Sequence, residues 1–141
     1  ELKQFHLHSP SENLIQGKSY PLEIHFVHAN ADGELAVVGM MFEQGQDSQM
    51  LKQMWKRLPK KQGEKVVLKT PQPVNQLLPK NLDYYRFSGS LTTPPCSEGV
   101  RWLILKEIQQ ASAKQIAEFF KLMGHPNNRP VQPLNGRVIV E

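Results

Sequence analysis

Three histidines within the first 25 residues have the types and spacing of a metal site. His6 and His8 lie in Gln4-Phe5-His6-Leu7-His8, and His25 lies in Glu23-Ile24-His25-Phe26-Val27-His28. Side chains of a strand alternate between its two faces. His6 and His8 therefore share a face with Gln4, and His25 shares one with Glu23. Ile24, Phe26 and His28 point the other way. Antiparallel pairing of the two strands brings three imidazoles to one point. Gln4 and Glu23 then stand beside them as acceptors for ring N–H groups. Three neutral nitrogen ligands with one open position form the pattern of a catalytic zinc rather than a structural one. An isolated H-x-H pair is more often solvated or hydrogen-bonded. The third histidine, with a carboxylate two residues before it, is what favours the metal.

The elements that must position these residues are mostly strands. Residues 1–8 read as a strand broken by Pro10, followed by a loop with Gly17. Tyr20 to His28 is the second strand, and Asn30-Ala31-Asp32-Gly33 turns the chain. Leu35 to Phe42 is a near-continuous apolar run, as in a strand buried on both faces. Gly39 inside it marks a bend or a close approach. Ser48 to Leu58 has the three-and-four spacing of a helix capped by Ser48. Val66-Val67-Leu68, Asp83 to Phe87 and Val100 to Lys106 carry strand signals. Ser112 to Met123 reads as an amphipathic helix capped by Ser112 and closed by Gly124. Asn127 to Pro133 is extended, and Arg137 to Val140 is a final short strand. The fold class is therefore mainly β, with two helices.

Composition bounds the rest. The 141 residues are the length of one domain, 39% hydrophobic and 21% charged. No apolar run reaches membrane-spanning length, and Glu1-Leu2-Lys3-Gln4-Phe5 has neither a basic n-region nor an apolar h-region. Net charge is +4, from 17 Lys+Arg against 13 Asp+Glu. Lys52, Lys56, Arg57, Lys60, Lys61 and Lys65 cluster, but only Trp55 interleaves them. The stretch reads as a solvated helix face and loop, not a nucleic-acid surface. The single cysteine, Cys96, cannot form a disulfide within the chain.

Ser11-Glu12-Asn13-Leu14-Ile15, with Tyr20, Glu23, Ile24 and His25, completes the spacing S-E-N-x-I-x4-Y-x2-E-I-H-F-V. With Gln4 to His8, with Ser90-Leu91-Thr92-Thr93-Pro94-Pro95, and with Asn127 to Arg137, it resembles the α-class carbonic anhydrases. The resemblance runs from Glu1 to Val140. The Pro94-Pro95-Cys96-Ser97-Glu98-Gly99 variant is similar to the bacterial, exported branch.

The resemblance implies a zinc-dependent, reversible hydration of CO2 to bicarbonate and a proton, by attack of zinc-bound hydroxide. It implies a large central, mostly antiparallel twisted sheet with a few peripheral helices. His6, His8 and His25 match the zinc ligands. Gln4, Glu23 and the Asn127 backbone match the groups that orient them. Thr92 matches the threonine that accepts a hydrogen bond from the nucleophile, and Glu12 the carboxylate that receives the Thr92 proton. Val27, Val37, Leu91 and Trp102 match the apolar wall for CO2, and Thr93 lines the same pocket. Read as residues alone, those four would be ordinary core. Sulfonamides and anions are the implied inhibitors, a homodimer is one implied assembly, and the implied location is periplasmic or secreted.

Against the family pattern, residues 1–141 read as the C-terminal two thirds of the domain, with the N-terminal third lacking. No residue matches the usual proton-shuttling histidine. In exported members the cysteine at the Cys96 position pairs with one in the lacking part. An open sheet edge and bare apolar surface then favour self-association. Two other readings compete. One is a non-catalytic carbonic-anhydrase-like fragment or binding module. The other is a cupin-type enzyme, in which His6-x-His8-x3-Glu12 makes Glu12 itself a ligand.

Overall fold

The structure, a computed structural model, describes residues 1–58, 66 and 77–141. Six strands form one sheet: β1 (Leu2–His8), β2 (Leu22–Ala29), β3 (Leu35–Gln44), β4 (Tyr84–Ser90), β5 (Glu98–Leu105) and β6 (Gln109–Ala111). Their order is β1-β2-β3-β5-β4, with β6 beside the end of β3. Pairing is antiparallel except where β3 meets β5 and β6, which run parallel to it. The fold is mainly β, as its sequence pattern predicts.

Among the described residues two helices accompany it: α1 (Gln49–Trp55) and α2 (Ala113–Met123). The Ser48 hydroxyl caps α1 by accepting from the Leu51 N–H. In α2, Ser112 and Gln115 form a reciprocal capping box, and Gly124 closes the helix at φ 74°.

The sheet divides the molecule by alternation. One face carries Leu7, Leu22, Ile24, Phe26, Met40 and Phe42, which pack with Leu51 of α1 and Phe119 of α2. The other face carries His6, His8 and His25. Register aligns its residues into rows across the strands. One row runs His6, His25, Gly39, Ile104, Tyr85, and the next runs Gln4, Val27, Val37, Trp102, Phe87. The polar end of this face thus lies on β1–β2 and the apolar end on β3-β5-β4.

Three expectations change. The helix read as Ser48 to Leu58 ends at Trp55, where Lys56 caps it and a turn follows. The strand read at Arg137 to Val140 shrinks to a single bridge between Val140 and Arg86, because a turn joins Arg137 N–H to Leu134 O just before it. β6 carries no apolar alternation and was not expected. The strand signal at Val66-Val67-Leu68 lies, apart from Val66, outside the described residues, as do Lys60, Lys61 and Lys65.

Gly39 is a close approach. A Cβ placed there would meet Ile104 Cδ1 at 2.6 Å and Glu23 Oε1 at 3.0 Å. The Gly39→Ala variant is expected to lose about 1–3 kcal/mol through overpacking, and Ile104→Val, which removes Cδ1, to recover part of it. A urea-denaturation double-mutant cycle checks this coupling. Independent, additive losses would contradict it.

Candidate metal centre

Cross-strand pairing places His6 directly opposite His25, with His8 one strand repeat along. The three rings lie 4.7–5.2 Å apart between centroids. One ligand nitrogen from each falls within 4.8 Å of the others. His8 and His25 are buried and His6 is half-buried.

Each ring has its own kind of neighbour. His6 Nδ1 lies 2.7 Å from Gln4 Oε1, and His8 Nδ1 lies 3.0 Å from the Asn127 carbonyl. His25 Nε2 lies 2.8 Å from Glu23 Oε1, close but off the line of a straight hydrogen bond. Trp102 meets the His25 ring edge to face at 4.8 Å and is itself fixed by Nε1–H donation to Ser90 O.

Glu23 is fully buried and holds the loop that carries Glu12. Its Oε2 accepts from the N–H groups of Glu12 at 2.7 Å and Asn13 at 3.0 Å, and its Oε1 from Asn13 Nδ2 at 2.7 Å. Glu12 is buried too. Its Oε1 accepts from Arg129 N–H at 2.6 Å. Its Oε2 has no hydrogen-bond partner, and lies 3.4 Å from His8 Nε2 and 3.9 Å from His25 Nδ1. A bond from Thr92 to Glu12, which the family pattern implies, is not formed among the described residues.

Electrostatics favour neutral rings at His6 and His8. Burial, then the adjoining His25 and His8, lowers the His6 pKa to about 4, with Glu23 opposing. Burial and His25 also lower that of His8, against the pull of Glu12. Burial pushes the Glu23 carboxyl up, but His25 and the Asn13 donors outweigh it and hold it below its ordinary value.

These residues fit a zinc ion. Neutral imidazole nitrogens are suitable donors, and His8 Nε2 is a buried atom that no protein group satisfies. His28 turns away, with Nδ1 at 3.0 Å from Phe26 O, and His125 is exposed beside Pro126.

The remaining sequence candidates fall nearby. Val27, Val37, Leu91 and Trp102 belong to one apolar cluster. Glu12, Ser90, Thr92, Trp102 and Arg129 line a cavity of about 790 Å³, which none of the three histidines lines. Thr93 is exposed and does not line it. Asn13 and Arg129 were not singled out from the sequence. Arg129 acts here through a backbone N–H, which leaves no signature in residue type.

A family model described as eukaryotic-type carbonic anhydrase matches residues 1–141. The chain belongs to this family. It is 54% identical over 139 residues to a carbonic anhydrase of Pectobacterium carotovorum, covering 99% of this chain and 57% of that protein. It is 49% identical over 140 residues to one of Neisseria gonorrhoeae, covering 99% and 55%. The α-carbonic anhydrase of Thermovibrio ammonificans, solved with the inhibitor sulfanilamide, superposes with TM-score 0.94 at 50% identity, covering 99% of this chain and 62% of that one. A hyperthermostable carbonic anhydrase from a hydrothermal vent chimney gives 0.93 at 54% identity, covering 98% and 62%. The chain thus spans less than two thirds of the length of these relatives. Family membership removes the cupin reading.

The lowered pKa values set a pH dependence for the metal-free chain. Unfolding restores His6 to its ordinary 6.5 from about 4, so the unfolded state takes up the proton first as pH falls. Glu23, held below its ordinary value, acts in the same direction at lower pH. The urea midpoint is expected to be highest above pH 6.5 and to fall steadily toward pH 4. A midpoint that is flat or rises over this window would contradict the assignment.

Proposed function

We propose that the chain carries the zinc centre of a carbonic anhydrase, which interconverts CO2 with bicarbonate and a proton. The observation that carries this reading is the convergence of three imidazole nitrogens within 4.8 Å in a chain of this family. His6, His8 and His25 would hold the ion. A bound Zn2+ supplies Lewis acidity that lowers the pKa of a coordinated water from about 15.7 to about 7.

The remaining work falls to the chain's own residues. Gln4, Glu23 and the Asn127 carbonyl fix the rings. In the loaded site Thr92 would donate to Glu12, whose Oε2, unpartnered in this structure, is the available acceptor. A hydroxyl that donates there has only a lone pair left to offer the nucleophile, which fixes the nucleophile's orientation. Val27, Val37, Leu91 and Trp102 provide an apolar wall for CO2, which has no net dipole, and Thr93 stands at its exposed rim. Bicarbonate is charged and returns to water.

Sulfonamides and small anions would compete for the open position. The sulfanilamide complex of the Thermovibrio relative supports the first class. The Pro94-Pro95-Cys96-Ser97-Glu98-Gly99 segment, similar to the bacterial, exported branch, favours a periplasmic or secreted location. No helix among the described residues is long and apolar enough to cross a membrane. Among the described residues the sheet order ends in β1 and in β4, which Val140 bridges at Arg86, and a homodimer joined along the β1 edge is the assembly this reading allows.

Stopped-flow CO2 hydration, run beside metal analysis and with a sulfonamide, is the test. One zinc per chain and sulfonamide-sensitive turnover are expected. Bound zinc without turnover would favour the non-catalytic module instead. The Thr92→Val variant, which keeps shape and loses the hydroxyl, is expected to retain zinc and to lose about a hundredfold in kcat/KM. An unchanged kcat/KM would remove Thr92 from the mechanism.

A further inference from the structure

We infer that the side chain of Asn127 is a positioning residue that sets the His8 ring and the Glu12 carboxylate from one point, a role that rests on the metal-centre reading above. Among the described residues β1 stands at one end of the strand order. Where it ends, the Asn127 carboxamide takes the bonding place of a neighbouring strand. Nδ2 donates to Leu7 O at 2.9 Å, and Oδ1 accepts from Ser9 N–H at 2.8 Å. The Asn127 backbone N–H donates to Ser9 O at 3.2 Å. These three bonds grip the two residues that flank His8.

The grip has two outputs. The Asn127 carbonyl is held 3.0 Å from His8 Nδ1. An acceptor there keeps the proton on Nδ1 and leaves Nε2 bare toward the other two imidazoles. Two residues on, Arg129 N–H donates to Glu12 Oε1 at 2.6 Å. That bond keeps Glu12 from turning, with Oε2 left as the free oxygen. So short a segment transmits the position of residue 127 to both groups. The carboxamide offers one donor and one acceptor on a short stem, whereas an ionised aspartate of the same shape has no donor.

The test compares Asn127→Ala and the near-isosteric Asn127→Asp with Phe119→Leu, a packing variant on α2 that touches neither group. Zinc release to a chromophoric chelator is one readout. Amide exchange of Arg129 in the metal-free chain, by NMR, is the other. Both Asn127 variants are expected to release zinc roughly ten- to a hundredfold faster and to lose Arg129 protection. Phe119→Leu is expected to lower the urea midpoint while leaving both readouts unchanged. Unaltered zinc release in the Asn127 variants, or equal acceleration in Phe119→Leu, would overturn the inference. Should the unsubstituted chain take up no zinc, the metal reading falls, and Arg129 protection alone still decides whether Asn127 holds Glu12.

Discussion

Everything at this site depends on one register, the antiparallel pairing that sets His6 opposite His25. A slip of one residue in β1 would send His6 and His8 to the opposite face of the sheet. What fixes the register lies on that opposite face. Leu7, Ile24, Phe26, Met40 and Phe42 are buried there, and a slip would bring polar side chains into their place. Apolar burial on one side thus specifies polar convergence on the other.

Convergence has a cost that the surroundings offset. Held beside His25 in a half-buried site, His6 and His8 resist protonation, through desolvation and the repulsion of neighbouring imidazoles. At neutral pH these two rings offer bare nitrogens suited to a cation. Its orientation comes from four stretches far apart in sequence: β1, the loop at Glu12–Asn13, β2 and the segment from Asn127 to Arg129. Glu23 ties the loop to β2, and Asn127 ties the final segment to β1. The apolar row of Val27, Val37 and Trp102 lies immediately beside, because β3 and β5 continue the same face.

Much of this was legible in the sequence, for physical reasons. Alternation within a strand is local, so the shared face of Gln4, His6 and His8 follows from spacing alone. Gly39 was readable as a bend or a close approach, and only the packing of Ile104 and Glu23 against it decides for the second. Strand partners are not local. Nothing in Val100 to Leu105 says that it lies parallel to β3. The stretch Gln109-Gln110-Ala111 becomes a strand only because β3 is there to receive it. Val138-Ile139-Val140 has strand propensity, yet only Val140 reaches Arg86. Backbone donors such as the Arg129 N–H are invisible for the same reason: their position is tertiary and their chemistry is common to every residue.

X-ray absorption at the zinc edge of the zinc-loaded chain is the most direct measurement of the central claim, that these strands build a three-imidazole centre. The account predicts imidazole scattering from three histidines at about 2.0–2.1 Å, with one further light ligand. A shell of sulfur, a shell of oxygens without imidazole, or a spectrum unchanged by replacing His25 with alanine would contradict it.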